Sequence, residues 1–411
     1  MKRNVYSLAL FALGLVSLPI FAQEQQPDRV AVTPEGATYG AAKRQARAEI
    51  KWTRPICVED GRYIGWPTVC RLKNGDLMAV FSGDRDEHVC PWGKVQMIRS
   101  SDNGETWSAP RTIANGPIDD RDAGIVQLPD GEILVVYFTS VAYRDGLYSK
   151  EWPAGSARYW WRRHDEKIPA ETRTRALGNF CVRSKDNGVT WSAPDVIPLK
   201  GQTPHGPVLL KNGDLFQIGR WTATAHDGAG EAGKTYISAE RSSDGGHTWN
   251  LLCDKIPAAE GENAVPSRFH EPHIAELADG TLVVHVRYHG PDGHLRQTLS
   301  RDGGKSWTTM TQIPLLGLPP HLLVLPDGKL VSVYGRRWAK PGFGEFACIS
   351  DDGGQTWDVS SEIVLAPSHC GDLGYPASTL LPDGDILTVY YQQRKPGEKP
   401  CLMATRWRVT R

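Results

Sequence analysis

Six times along the chain an apolar run, an Asn-Gly or Asp-Gly pair and a second apolar run follow one another, with the glycines at Gly75, Gly131, Gly213, Gly280, Gly328 and Gly384. Such a pair between two apolar runs is a strong short-range hairpin signal, because its residues adopt the left-handed backbone of a tight turn. Six antiparallel hairpins are therefore predicted. A second pattern, S-x-D-x-G-x-[TS]-W, alternates with the first and occurs five times, at 100–107, 184–191, 242–249, 300–307 and 350–357. Its tryptophans are 84, 58, 58 and 50 residues apart, the spacing of propeller blades rather than of short solenoid turns. Within it the Asp and Ser side chains can bind a tight backbone, the Gly supplies positive φ and the Trp buries a large ring. This chemistry is structural. The two repeats together predict an all-β chain with a six-bladed β-propeller over 48–411.

Five hairpins lead to this motif, and the sixth leads only to the apolar run at 401–409. The strand missing from the last blade is expected from the N-terminal side, near 48–58, which would close the ring without a free sheet edge. The longest interval between hairpin and motif falls in the second blade and marks an insertion at about 141–178. That insertion carries Tyr148, Trp152, Tyr159, Trp160 and Trp161. The cluster reads equally well as a stacking surface for sugar faces or as a small local core.

Ahead of the propeller, Lys2 and Arg3 precede an apolar stretch and the small residue Ala22. This pattern predicts a signal peptide over 1–22, a leader over 23–47, and a periplasmic or secreted protein with no membrane association after cleavage. Forty-seven basic residues balance forty-seven acidic ones, so no global field recruits nucleic acid. Eight cysteines lack metal-type spacing, and their connectivity is not legible, although Cys181 and Cys348 lie in apolar runs that suit buried thiols. The histidines His205, His270, His273 and His321 form no recognisable ligand motif, and no phosphate-binding glycine loop is present, so neither metal nor other cofactor is expected.

Counting back nine positions from the hairpin glycines gives Trp66, Asp122, Pro204, Glu271, Pro319 and Tyr375. These begin the inner strands, whose ends line the central mouth of a propeller. A Tyr and a Glu are thus predicted on one rim.

The five S-x-D-x-G-x-[TS]-W copies resemble the Asp-box of the sialidase (neuraminidase) superfamily. The stretch from Tyr375 to Gly384 resembles the segment with that family's nucleophilic Tyr, and the stretch from Glu271 through Gly280 to Arg287 resembles the segment with its activating Glu and one carboxylate-binding Arg. The resemblance implies a retaining exo-sialidase acting on sialylated glycans or other anionic saccharides. Its catalytic residues would be Tyr375, Glu271 and an acid at His88, the position twelve residues before the first boxed Ser. A phenol nucleophile suits an anionic sugar because it avoids the like-charge approach of a carboxylate. His88 serves as the acid provided its pKa stays near the working pH, and Asp84, Asp86 and Glu87 are the alternatives beside it. Two arginines of the family pattern are absent: Gly65 and Trp66 precede Pro67, and Gly342 stands before the fifth box. Arg85, Arg121, Arg336 and Arg337 are the candidates to replace them, with Asp122 as a further substrate contact. A lyase or hydrolase for a uronic acid, and a non-catalytic glycan-binding propeller, are the alternatives.

Overall fold

Every hairpin closes through the same pair of backbone hydrogen bonds. The leucine three residues before each glycine donates to the carbonyl one residue beyond that glycine, and the glycine donates back to the leucine. At the first hairpin these bonds are Leu72 N to Asp76 O, 2.8 Å, and Gly75 N to Leu72 O, 2.9 Å; the pairing repeats through Leu381 and Gly384. All six glycines have φ between +85° and +98°, which a side chain would strain. The computed structural model describes residues 45–223, 233–259, 261 and 268–410. The expected signal peptide over 1–22 lies outside these residues, as does the leader up to residue 44.

Strand β1 (Ala48–Cys57) comes first in the chain but belongs to the last blade. Blade 1 is β2 (Tyr63–Arg71), β3 (Leu77–Arg85), β4 (Lys94–Ser100) and β5 (Arg111–Ala114). Blade 2 is β6 (Asp119–Gln127), β7 (Ile133–Ser140), β8 (Asn179–Ser184) and β9 (Asp195–Val196). Blade 3 is β10 (Val208–Leu209), β11 (Leu215–Thr222), β12 (Thr235–Ser242) and β13 (Asn250–Cys253). Blade 4 is β14 (Phe269–Glu276), β15 (Leu282–Tyr288), β16 (His294–Ser300) and β17 (Thr311–Leu316). Blade 5 is β18 (Pro320–Val324), β19 (Leu330–Arg336), β20 (Gly344–Ser350) and β21 (Ile363–Pro367). Blade 6 joins β22 (Leu373–Leu380), β23 (Ile386–Gln392) and β24 (Cys401–Val409) to β1. As expected, the N-terminal strand completes it, pairing antiparallel with β24 from Ala48 opposite Val409 to Cys57 opposite Leu402.

Six apolar cores fill the gaps between neighbouring blades. Successive side chains of a strand face opposite ways, so each blade feeds two cores. In β3, Leu77, Ala79 and Phe81 pack toward blade 6 while Met78 and Val80 pack toward blade 2. Burial on both faces explains why the strands read as nearly continuous apolar runs.

The five Asp-boxes form one outer girdle. In each, the Ser hydroxyl donates to the Asp carboxylate at 2.7 or 2.8 Å and accepts the box Gly N–H. The Thr or Ser before the Trp binds that carboxylate through both its N–H and its hydroxyl. These hydrogen bonds hold Asp186 and Asp302 down at about 2. Each box Trp packs on the core between its own blade and the preceding one.

The insertion of blade 2 folds into two short helices, α1 (Ala157–Asp165) and α2 (Ala170–Ala176). Of the two readings of its aromatic cluster, a local core is what Trp161 serves: it is fully buried with Tyr143, Leu147, Cys90 and Ile118. Trp160 and Tyr148 remain exposed. Asp165 ties the unit together, accepting from the Tyr143 and Tyr148 hydroxyls at 2.8 and 2.6 Å and from Arg144 and Arg173. All eight cysteines are free thiols, with Cys181 and Cys348 buried as expected. No helix among the described residues is long and apolar enough to cross a membrane.

Candidate functional site

Four blades carry the same backbone distortion at the mouth of the channel. Trp66, Asp122, Glu271 and Tyr375, the positions nine before the hairpin glycines, have φ of 56°, 50°, 34° and 53°. Each sits at a break in the pairing of the two inner strands: between Gly65 and Thr68, Arg121 and Gly124, His270 and Pro272, and Gly374 and Ala377. Bulges of this kind re-aim a side chain, and left-handed backbone at residues other than glycine concentrates at functional sites at about 1–3 kcal/mol each. Blades 3 and 5 have Pro204 and Pro319 at this place, where the ring holds φ negative. The rim is therefore asymmetric, and blades 1, 2, 4 and 6 supply the turned-in residues.

Glu271 and Tyr375 meet across the channel. The Tyr375 hydroxyl donates to Glu271 Oε1 at 2.6 Å; Arg287 Nη1 donates to Glu271 Oε2 and lies 3.2 Å from the Tyr375 hydroxyl. Arg287 Nε reaches His289 Nε2 at 2.6 Å. Burial alone would raise the Glu271 carboxyl, but Arg287, the Tyr375 hydrogen bond and Arg337 hold it down at about 2. Burial and the facing Glu271 push the Tyr375 phenol well above its ordinary value. Glu271 is thus a carboxylate and Tyr375 a neutral phenol at neutral pH.

Two further guanidiniums face this pair. Arg337 lies with Cζ 5.3 Å from the centre of the Tyr375 ring and donates to the Tyr391 hydroxyl at 2.8 Å. Arg121 stands over Trp66, with Cζ 4.9 Å from the ring centre. Trp66 Nε1, Arg121 Nε and Arg337 Nε are buried donors without an acceptor among the described residues. A cavity edged by unpaired donors suits a ligand rich in acceptors.

The other candidate arginines do not join the cluster in the same way. Arg85 is fully buried and bidentate with Asp119, at 2.5 and 2.7 Å, so its fork is already committed. Arg336 is turned away from Tyr375: it binds Glu362 at 2.6 Å and Leu316 O at 3.1 Å and lies over Phe346. Adjacent residues at a strand end point to opposite faces, which separates Arg336 from Arg337.

His88 faces the rim, its ring 4.9 Å from Trp66, but the condition for an acid role is not met. Loss of hydration and the nearby Arg121, Arg337 and Arg85 push its imidazole down to about 3. Its hydrogen bonding points the same way. Tyr63 donates its single proton to Asp372 Oδ1 at 2.7 Å, so in its 3.2 Å contact with His88 the Tyr63 oxygen accepts from Nδ1–H. His88 Nε2 is then left unprotonated. The neighbouring alternatives are paired: Arg62 binds Asp84 and Asp86, Trp161 Nε1 donates to Asp86 at 2.7 Å, and Glu87 lies 3.6 Å from Arg158. Asp122 differs from all of these, because burial raises its carboxyl to about 6 against the pull of Arg121, whose Nε lies 3.8 Å from Oδ1, and that oxygen accepts no hydrogen bond among the described residues.

Several residues of the site were not singled out from the sequence. Tyr63, Tyr391 and Asp372 lie on or beside the inner strands of blades 1 and 6 without occupying the counted frame. Arg220, at the end of the third hairpin, enters the same electrostatic neighbourhood as Glu271 and Arg287. The signal for it was positional, since Arg287 and Arg337 also end their hairpins. Below the rim, His205, His273 and His321 pack ring to ring, the last two stacked at 4.0 Å. Among the described residues no group of three or more His, Cys, Asp or Glu is arranged to hold a metal ion. A larger cleft of about 390 Å³ lies between blades 5 and 6, lined by Leu325, Lys329 and Val409, and contains none of the rim residues.

A family model described as a BNR repeat-like domain matches residues 154–388. A sialidase of Bacteroides fragilis (strain YCH46) is 25% identical over 358 residues, covering 79% of this chain and 59% of that protein. A sialidase of Micromonospora viridifaciens is 26% identical over 352 residues, covering 79% of this chain and 49% of that one. The chain thus spans about half to three fifths of the length of these curated relatives. Among solved structures, a protein of unknown function from Dyadobacter fermentans DSM 18053 superposes with a TM-score of 0.69 at 23% identity, over 88% of this chain and 99% of that one.

Proposed function

From the premise that the chain belongs to the BNR repeat-like domain family, within the sialidase superfamily, we propose that it is a retaining exo-α-sialidase that releases terminal sialic acid from glycoconjugates. Fold alone does not carry this, because one fold hosts many activities. The observation that carries it is the 2.6 Å hydrogen bond from Tyr375 to Glu271 inside a cluster of guanidiniums.

In this reading Arg287, Arg337 and Arg121 bind the carboxylate of the sugar, and Tyr375 attacks the adjacent anomeric carbon. As the new bond from the Tyr375 oxygen forms, the phenolic proton passes to Glu271 and the glycosidic C–O bond breaks. The departing oxygen takes a proton from Asp122, whose raised carboxyl is partly protonated near neutral pH. A water then adds to the anomeric carbon, gives its proton to Asp122, and Tyr375 leaves with the proton returned from Glu271. Two displacements give net retention. The test is release of sialic acid from a fluorogenic sialoside and from sialylated mucin between pH 4 and 8, beside Tyr375→Phe. Release by the wild type alone supports the reading, and no release from either substrate overturns it.

A further inference from the structure

Beside the Tyr375–Glu271 pair lies a pocket of about 80 Å³ between blades 2, 3 and 4, lined by Asp122, Phe138, Gln202, Arg220, His270 and Glu271 among others. Its position is set by the backbone. Gln202 and Arg220 exchange both N–H to O bonds, at 2.9 and 2.8 Å, and this holds the approach to blade 3 against the end of β11. Gly201 and Gly219 pack so closely there that a Cβ on either would meet the other segment's backbone within 3.0 Å.

Arg220 is the cation in this pocket, and no carboxylate among the described residues forms an ion pair with it. Its Nε is buried without an acceptor among the described residues. Dehydration and the neighbouring Arg287 lower it from its ordinary value, and the attraction of Glu271 does not offset them. Glu271 itself is bound to Arg287 and Tyr375, and so is not free to serve Arg220. His270 stacks on His289 at 4.4 Å and is held neutral, pushed down to about 4 by dehydration and Arg220.

The charge balance of the whole cavity follows from these pairings. Arg85 is neutralised by Asp119. Arg121, Arg220, Arg287 and Arg337 remain, facing Glu271, Asp372 beside Tyr63, and the raised carboxyl of Asp122. One substrate carboxylate, as the reading above requires, leaves the cavity still positive whenever Asp122 holds its proton. Among these arginines Arg220 alone lines the side pocket, and it is not one of those assigned to that carboxylate.

We propose that Arg220 and its pocket form a second anion subsite, which takes a sulfate ester or a further carboxylate carried on the same sugar. This inference rests on the sialidase reading for the identity of that sugar, and it deepens the reading by making the preferred substrate a doubly anionic saccharide. A donor-only fork inside a small cavity is matched by a tetrahedral or planar oxyanion, and a neutral hydroxyl satisfies it less fully. An anion bound there also raises Asp122 further, which keeps it protonated as a proton donor.

Two measurements separate this subsite from the reading it rests on. In the first, calorimetry on Tyr375→Phe compares sialyllactose with its 8-O-sulfated, 9-O-sulfated and C9-carboxylate forms. At least one doubly anionic form is expected to bind tenfold or more tightly than sialyllactose, with the ratio falling to about one in Arg220→Met and the sulfate and carboxylate arms identifying the preferred oxyanion. In the second, the wild type is labelled with phenylglyoxal, with and without inorganic sulfate, and the modified arginines are mapped by mass spectrometry. Arg220 is expected to react and to be protected by sulfate, which does not depend on any sugar. Protection without sialoside binding retains the subsite and removes the sialidase reading. Sialyllactose binding with no preference for a second anion, together with no sulfate protection of Arg220, overturns the subsite and leaves the reading intact.

Discussion

The outer girdle and the inner rim of this propeller are both built from repeated frames, yet they use repetition in opposite ways. In the girdle, five boxes repeat the same Ser, Asp, Gly and Trp positions, the same hydrogen bonds to the Ser and Asp side chains and the same Trp packing. At the rim, four blades repeat the same left-handed bulge but place Trp66, Asp122, Glu271 and Tyr375 in it. Where backbone and side chain both recur, the residues serve the fold. Where the backbone recurs and the side chains differ, a fixed scaffold presents different chemical groups to one point. The comparison predicts that rim substitutions change chemistry with little loss of stability, and that girdle substitutions do the reverse.

The largest effect is expected at Tyr375. Phe at this position keeps the ring against Trp66 and Tyr391 and removes only the hydroxyl. On the proposed mechanism, loss of the Tyr375 hydroxyl should lower kcat by on the order of 10³-fold or more, while Glu271 keeps its pairing with Arg287 and the melting temperature stays within a few degrees of wild type. Steady-state kinetics and a thermal melt on the same sample check both halves. A Tyr375→Phe enzyme with near wild-type kcat breaks the comparison at its strongest point.

Asp122→Asn should have the next largest effect and a distinct pH signature. With a carboxyl raised to about 6, the proposed proton donor is present below that pH and is lost as pH rises through it. The wild-type rate should fall above about pH 6, and the Asn variant should be slow with no such limb. The stability consequence has a definite sign. A carboxyl whose folded pKa is raised contributes stability that is complete below its unfolded value and disappears as pH rises through the folded one. Asp122→Asn should therefore gain on the wild type between pH 4 and 7, by up to about 3 kcal/mol for a two-unit shift of a buried group. Denaturant melts at those two pH values measure the difference.

How much of this was legible in the sequence follows from the same contrast. The L-x-[Asn/Asp]-Gly hairpins and the boxes carry their backbone requirements in residue types, so blade number, ring closure by 48–58 and the insertion could be read directly. The rim frame also yielded Glu271, Tyr375 and Asp122, because a count from an invariant turn reaches the same bulge in each blade. Roles that depend on partners were not legible. Arg85 and Arg121 look alike in sequence, but only Arg85 has Asp119 lying against it. Arg336 and Arg337 are neighbours, and strand alternation sends one to Glu362 and the other to Tyr391. The acidity of His88 is set by its burial and by guanidiniums from blades 1, 2 and 5, a combination that no local window contains.

A girdle substitution sharpens the comparison from the other side. Asp186→Ala removes the acceptor for the Ser184 hydroxyl and for both the N–H and hydroxyl of Thr190, far from the rim. Loss of such a local hydrogen-bond set should lower the melting temperature, with kcat and its pH profile unchanged at temperatures well below the melt. A change in the pH profile would mean that the turns communicate with the rim.

The smallest effect is expected where the girdle departs from its own rule. In four boxes the Trp indole donates to the box Gly carbonyl, at 3.0 to 3.2 Å. In the fifth, Trp357 donates instead to Gln297 Oε1 at 3.1 Å, and Gln297 Nε2 donates to Gly354 O at 2.8 Å, so a blade 4 side chain is interposed. His285 Nε2 reaches the same Gln297 oxygen at 2.9 Å, which links this box to the interior of blade 4. Gln297→Leu would remove the bridge but leave Trp357 free to bond Gly354 O as the other boxes do. The loss should then be about 1 kcal/mol, at the low end of what an unpaired buried polar group costs, because Trp357 and Gly354 keep each other as partners and only His285 Nε2 loses its own. Combining Gln297→Leu with Trp357→Phe separates the two contributions: if the fifth box reverts to the common geometry, the second substitution costs more in the Leu background than in the wild type. A smaller cost in that background would show that the interposed glutamine, and not the box itself, holds blades 4 and 5 together at this turn.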